Sequence, residues 1–306
     1  MKLNRIVVAI DFSPESQHAL EQAMNVARKS GAELVLLHVC GVPEQTGEVP
    51  ESMRDTLNVY EEMLREQLKE VRAQLEDVYE RYTGQGVEMS RVLREGFPDT
   101  AIVEAGKELH ADLIVTGSHG RTGLSRLFIG SIAERVVRLA DVPVLVARAG
   151  LSTGGFDRIL VPVDFSPITD AVLDTALAVA APGAQIDLVH SWELSPLGYQ
   201  AMVPVKAAQD LVQPLKDSLR ANIVEKGGEL ITRHAKDDVT IIFHPVEGRP
   251  TEIIEQWVKD HPTTLVVTGS HGRRGLRRFV LGSVAEATVR HVKCSVLVVH
   301  GTPPIL

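Results

Sequence analysis

TGSHGRTGLSRLFIGSIAERVVR (residues 116–138) returns as TGSHGRRGLRRFVLGSVAEATVR (residues 268–290), with 15 of 23 positions identical. Chance does not produce such a match. The chain contains one structural unit twice, one binding site twice, or both.

The repeat extends outward from this window in the same block order. RIVVAIDFSPES (5–16) faces RILVPVDFSPIT (158–169), and AELVLLHVC (32–40) faces AQIDLVHSW (184–192). REGFPDTAIVEAGKELHADLIVTGSHG (94–120) faces VEGRPTEIIEQWVKDHPTTLVVTGSHG (246–272), and VPVLVAR (142–148) faces CSVLVVH (294–300). Three glycines in RAGLSTGGF (148–156) mark a linker. The expected division is a first domain at 1–148, a linker at 149–156 and a second domain at 157–306. Each half is long enough to bury its own core.

Within each half, short β-branched runs alternate with amphipathic stretches. The strands are expected near 5–10, 33–39, 87–93, 113–116 and 144–147, then near 158–163, 185–191, 240–245, 264–268 and 295–299. Near-continuous apolar runs such as IVVAI and LVLLHV suit parallel strands buried on both faces. Ser13-Pro14 and Ser166-Pro167 each predict an N-cap serine with proline at the first helical position. The longest helix, about 51–82, places Leu57, Tyr60, Leu64, Leu68, Val71, Leu75 and Val78 on one face, which covers a sheet. The sum is an α/β fold with an open, doubly wound parallel sheet, twice over.

Composition narrows the function classes. The chain has 306 residues, 44% hydrophobic and 24% charged, which excludes a disordered polymer. A net charge of −8 weighs against a nucleic-acid or anionic-membrane surface. Cys40 and Cys294 form no zinc or redox pair and read as buried small hydrophobes. MKLNRIVVAIDFS lacks the long apolar core of a signal peptide, and no run approaches bilayer-spanning length. A soluble cytoplasmic protein is expected.

The chemistry lies in the loop after each fourth strand. Its spacing is G-x2-G-x9-G-S: Gly117, Gly120, Gly130 and Ser131, then Gly269, Gly272, Gly282 and Ser283. Ligands of open α/β sheets bind beyond the carboxyl ends of the strands, where this loop falls. Gly-Ser at a helix start leaves N–H donors, a hydroxyl and the positive dipole end together, which suits a phosphate. Glycine also permits close approach and positive φ. Arg121 and Arg126, or Arg273, Arg274, Arg277 and Arg278, add local positive charge. The pattern lacks the GK[ST] of a Walker loop and the G-x-G-x-x-G of a dinucleotide fold. On residue types alone, a phosphate cradle and a plain glycine-rich turn capping a helix both remain open.

Asp11 and Asp164 end the first strand of each half, where a carboxylate can accept ribose hydroxyls or serve as a loop cap. His119 and His271 sit inside the glycine loop, placed to donate to phosphate or to pack the turn. His38 and His190 read as packing residues. No nucleophile–base pair is visible, so no catalytic residue is assigned.

An aspartate ending strand one, followed by G-x2-G-x9-G-S after strand four, resembles the universal stress protein family. The resemblance covers nearly the whole chain as tandem domains. It implies five-stranded parallel sheets of order 3-2-1-4-5, adenine nucleotide alpha hydrolase-like. Both copies keep every glycine and the serine, which implies the ATP-binding branch.

By that resemblance, Asp11 and Asp164 meet ribose, and the backbones of Val39 and Ser191 meet adenine. Gly117, His119, Gly120, Gly130, Ser131 and Ile132 hold ribose and phosphates in the first half. Gly269, His271, Gly272, Gly282, Ser283 and Val284 do so in the second. The position two before the aspartate is often proline in binders; Pro162 matches and Ala9 departs. Ser191 replaces valine, which a backbone contact tolerates.

Magnesium is expected with the phosphates. The implied function is an ATP-binding regulatory or stress-response module with little turnover. A slow ATP hydrolase, or a chaperone-like scaffold using nucleotide structurally, is the alternative. The last strands, PVLVA (143–147) and SVLVV (295–299), are apolar edges in the implied order, and an apolar edge needs covering. They are expected to pair antiparallel in an internal pseudo-dimer, with further homodimerisation possible through helix 51–82.

Overall fold

The computed structural model describes residues 1–41, 54–120, 129–148, 155–193, 205–271 and 281–301. The chain divides into two compact units, Lys2–Arg148 and Ala149–Leu306.

The first unit alternates strand and helix. It runs β1 (Arg5–Ala9), α1 (Pro14–Ser30), β2 (Glu33–Cys40), α2 (Arg54–Tyr82) and β3 (Met89–Glu95). It continues through α3 (Pro98–Glu108), β4 (Leu113–Gly117), α4 (Ser131–Leu139) and β5 (Val144–Ala147). Its strand order is β3-β2-β1-β4-β5. Every pair is parallel, with Val7 of β1 in register with Val35 on one side and Ile114 on the other. Ile6, Val7 and Val8 are 0% exposed, as strands covered on both faces require.

The second unit repeats this. It runs β6 (Phe156–Pro162), α5 (Thr169–Val179), β7 (Ala180–Trp192), α6 (Val205–His234) and β8 (Thr240–Glu247). It ends with α7 (Pro250–Asp260), β9 (Leu265–Gly269), α8 (Ser283–His291) and β10 (Ser295–Val299). The order is β8-β7-β6-β9-β10, again all parallel. In both units β1 or β6 lies between the second and fourth strands. The topology therefore reverses beside the first strand, which opens a crevice above Asp11 and Asp164.

Helix α1 starts as its sequence predicts. The Ser13 side chain accepts the Ser16 N–H at 3.2 Å, and Pro14 stands at the first helical position. Gly31 ends the helix at φ 72°, donating its N–H to the Ala27 carbonyl at 2.8 Å. Ala19, Ala23 and Ala27 let α1 approach the sheet closely, with Leu20 and Met24 filling between them.

Three expectations need correction. Ser166 does not cap α5 with its side chain. The carbonyl of Ser166 instead accepts the Thr169 N–H in a turn, and the helix begins at Thr169. Strand β7 begins at 180 rather than near 185, because Ala180 pairs with Phe156 before a register shift. Cys40 is half-buried at the open end of β2, while Cys294 is buried as expected. No helix among the described residues is long and apolar enough to cross a membrane.

Candidate functional site

The residue after each aspartate sets the local geometry. Phe12 and Phe165 have φ of 65° and 55°, a left-handed conformation that bulky side chains rarely adopt. Such outliers concentrate at functional sites. The tight turn lets each carboxylate fold back on its own chain. Asp11 Oδ1 accepts the Ser13 N–H at 3.1 Å and the Ser13 hydroxyl at 2.5 Å. Asp164 Oδ1 accepts the Ser166 N–H at 3.0 Å. These bonds aim the carboxylates across the strand ends.

His38 and His190 support this turn. Each is 7% exposed. Nδ1 of His38 lies 2.7 Å from the Ile10 carbonyl, and Nδ1 of His190 lies 2.7 Å from the Val163 carbonyl. A carbonyl only accepts, so both Nδ1 atoms carry the proton. The Phe12 ring stacks on His38 at 4.5 Å, and Phe165 faces His190 at 4.6 Å. The packing role read from sequence holds, with a backbone-anchoring bond added.

The glycine loop closes against the aspartate. A Cβ on Gly120 would stand 2.8 Å from Asp11 Oδ2, so any larger residue there would push the carboxylate aside. At Gly130 a Cβ would meet the Ser118 carbonyl at 3.3 Å, and at Gly282 it would meet the Ser270 carbonyl at 3.1 Å. The same carbonyls accept the Gly130 and Gly282 N–H groups at 2.7 Å. None of the described motif glycines has positive φ. What these glycines share is close approach, to the loop itself at Gly130 and Gly282 and to the Asp11–Glu15 segment at Gly117 and Gly120, not backbone handedness.

Helices α4 and α8 then begin with no side-chain cap, Gly130 and Gly282 being their N-caps. Their first N–H groups have no partner within the helix. Ser131 and Ser283 stand exposed at the first position, beside the positive end of the helix dipole.

His119 and His271 share one arrangement. Nδ1 of His119 lies 3.0 Å from the Ser118 hydroxyl, and Nδ1 of His271 lies 3.1 Å from the Ser270 hydroxyl. Both Nε2 atoms are buried without a hydrogen-bond partner. A buried polar atom left unpaired is costly and calls for a missing partner. Burial, then the positive Arg148, holds the His119 pKa below the ordinary 6.5, so its ring is neutral in this state.

In the second unit one cavity of about 950 Å³ collects the predicted residues. Pro162, Asp164, Ser191, Gly269, His271, Gly282, Ser283 and Val284 all line it. In the first unit, Asp11 and Gly120 are in contact range, Val39 is half-buried at the open end of β2, and Ile132 is 42% exposed beside Ser131. Gly117 packs against the Glu15 backbone, where a Cβ would stand at 3.2 Å. Gly272 and the arginines 121, 126, 273, 274, 277 and 278 lie outside the described residues.

Sequence reasoning missed the walls of this cavity. Trp192 and Glu193 follow β7, Leu219, Asn222 and Lys226 come from α6, and Ile253 and Ile254 come from α7. Trp192 ends the repeated block 184–192, which was the available signal. Among the described residues no group of three or more His, Cys, Asp or Glu is placed to hold a metal ion.

The family model described as "Universal stress protein family" matches residues 2–148 and again 155–300. The chain belongs to the universal stress protein family. Universal stress protein Rv2005c of Mycobacterium tuberculosis is 27% identical over 309 residues, covering 97% of each chain. Universal stress protein MJ0531 of Methanocaldococcus jannaschii is 35% identical over 144 residues, covering 47% of this chain and 81% of that protein. The crystal structure of a universal stress protein from Archaeoglobus fulgidus superposes with a TM-score of 0.69 at 21% identity. It covers 98% of this chain and 99% of that one, a likeness of fold.

Proposed function

We propose that each domain of this universal stress protein binds one ATP and that the chain acts as a regulatory or stress-response module with little or no turnover. The observation that carries this reading is the cavity where Asp164, the glycine loop and the unpartnered His271 Nε2 converge. A phosphate oxygen would satisfy that nitrogen and the open N–H groups of α8 together. Asp164 would accept ribose hydroxyls, and the Ser191 backbone would meet the base. Asp11, Val39, His119, Gly130 and Ser131 would do the same in the first domain. With no metal-ligand cluster among the described residues, magnesium would arrive on the phosphates. When bound, it would neutralise phosphate charge.

Native purification, denaturing release and mass spectrometry test the binding. The expected result is co-purified adenine nucleotide, up to two per chain. The rival reading is a slow ATP hydrolase. Neither the sequence motifs nor the described residues supply an assigned base for water, so steady-state phosphate release should stay far below the enzyme median of about 10 per second. A rate at that median would promote the hydrolase.

His119 supplies a pH test. A histidine with a lowered folded pKa binds fewer protons than its unfolded form below about pH 6.5. It therefore costs the free protein stability as pH falls through that range. Phosphate at Nε2 favours the protonated ring, so ATP binding near pH 6 should take up a proton. Calorimetry in two buffers of different ionisation enthalpy should show this uptake, and His119→Asn should reduce it.

We also propose that residues 143–147 and 295–299 pair antiparallel. β5 and β10 come last in the order of their own domains, and both are apolar strands of the kind that need covering. Amide hydrogen exchange at these strands should be as slow as at β1. Fast exchange at alternate residues would sink the pairing.

A further inference from the structure

The second-domain cavity runs past Asp164 and Phe165 to a wall of α6 formed by Asn222 and Lys226. The Lys226 ammonium stands 5.9 Å from the centre of the ring of Phe165, the residue that follows Asp164, whose carboxylate would meet ribose on the reading above. Asp164 and Glu193 are the carboxylates of this cavity. No described residue forms an ion pair with Lys226, so its charge is available to a ligand.

The first domain differs at the same place. A cleft of about 450 Å³ between α1 and α2 is lined by Phe12, Glu70 and Gln74, with Asp77 and Arg81 beside them. Asp77 and Arg81 pair with each other. Counted back from Tyr82 and His234, the last residues of α2 and α6, Gln74 and Lys226 hold one position, and Glu70 and Asn222 another. Across the repeat this wall changes from glutamate with glutamine to asparagine with lysine. The negative charge is replaced by a positive one while the aspartate and the phenylalanine behind it stay the same.

We propose that the second-domain site takes an adenine nucleotide bearing a second anionic group on its ribose side, anchored by Lys226, and that the first domain, with Gln74 at that helix position, lacks this anchor. The proposal rests on the nucleotide reading above and adds the ligand class that separates the two sites. An ammonium meeting a phosphate gives a charge-assisted bond, which the neutral amide of Gln74 cannot supply. A cavity of this size lies at the upper end for small-molecule sites, roughly 300–1,000 Å³, and leaves room beyond a mononucleotide.

The two tryptophans allow a site-specific readout. Trp192 lines the second cavity, and Trp257 is the other. In a Trp257→Phe chain, Trp192 fluorescence reports the second site alone. AMP and adenosine 3′,5′-bisphosphate differ only in the added phosphate. The bisphosphate should bind about fivefold or more tightly than AMP, and Lys226→Gln should bring the ratio near one.

Calorimetry of the unsubstituted chain with both ligands gives the same comparison without the tryptophan change, and only one of the two binding steps should favour the bisphosphate. Equal affinities in the parent, or a preference that survives Lys226→Gln, would overturn the proposal while leaving nucleotide binding intact. No response to either nucleotide would remove both.

Discussion

Gly282→Val should weaken nucleotide binding at the second site by about a hundredfold or more and leave the first site untouched. A Cβ at this position already meets the Ser270 carbonyl at 3.1 Å, and valine adds two further carbons. The carbonyl can retreat only by stretching the 2.7 Å bond it accepts from the Gly282 N–H. That bond sets the start of α8, and the two further valine carbons strain it more, displacing the donors that would hold phosphate. Gly130→Val should act alike on the first site, where the contact is 3.3 Å and slightly looser. Titration calorimetry should read one step lost in each variant and both lost in the double variant. Equal weakening of both steps by either single change would contradict independent sites.

Leu145→Asp and Leu297→Asp should each cost more than about 3 kcal/mol. Both leucines are 0% exposed in the last strand of their domain. A carboxylate there has no hydrogen-bonding partner and meets a low-dielectric core. Its folded pKa is pushed upward, so the folded state binds a proton that the unfolded state releases. The deficit should therefore shrink as pH falls below that raised value and be largest at neutral pH and above. Leu145→Ala would lose packing without this pH dependence. Thermal denaturation across pH separates the two behaviours.

Much of the fold was legible because β-branched runs and helical periodicity repeat in one order across both halves. The strand ends came within a few residues wherever an apolar run stopped at a charge or glycine. Strand β7 escaped because Ala180, Ala181, Pro182 and Gly183 carry no strand pattern; the pairing of Ala180 with Phe156 is tertiary. Ser166 escaped because its Ser-Pro pair is the same as Ser13-Pro14 in sequence; Phe12 and Phe165 are both left-handed, yet only Ser13 caps its helix.

The site was half legible. Its glycines and aspartates stand in the repeat, yet what Gly120 faces is Asp11 Oδ2, a neighbour only in the folded chain. The same limit hid the proton on His38 Nδ1, because its acceptor, the Ile10 carbonyl, lies just past the end of β1, 28 residues away in sequence. Lys226 was invisible for a further reason. It sits on α6, in a stretch where the two halves share no motif, and only packing brings it to the cavity.

The central claim is two independent nucleotide sites in one chain, and calorimetric titration of the purified protein with ATP and magnesium tests it most directly. Binding that saturates at two nucleotides per chain, each step removed by its own glycine-to-valine change, is the predicted result. Saturating ATP that produces neither heat nor a shift in melting temperature would contradict it.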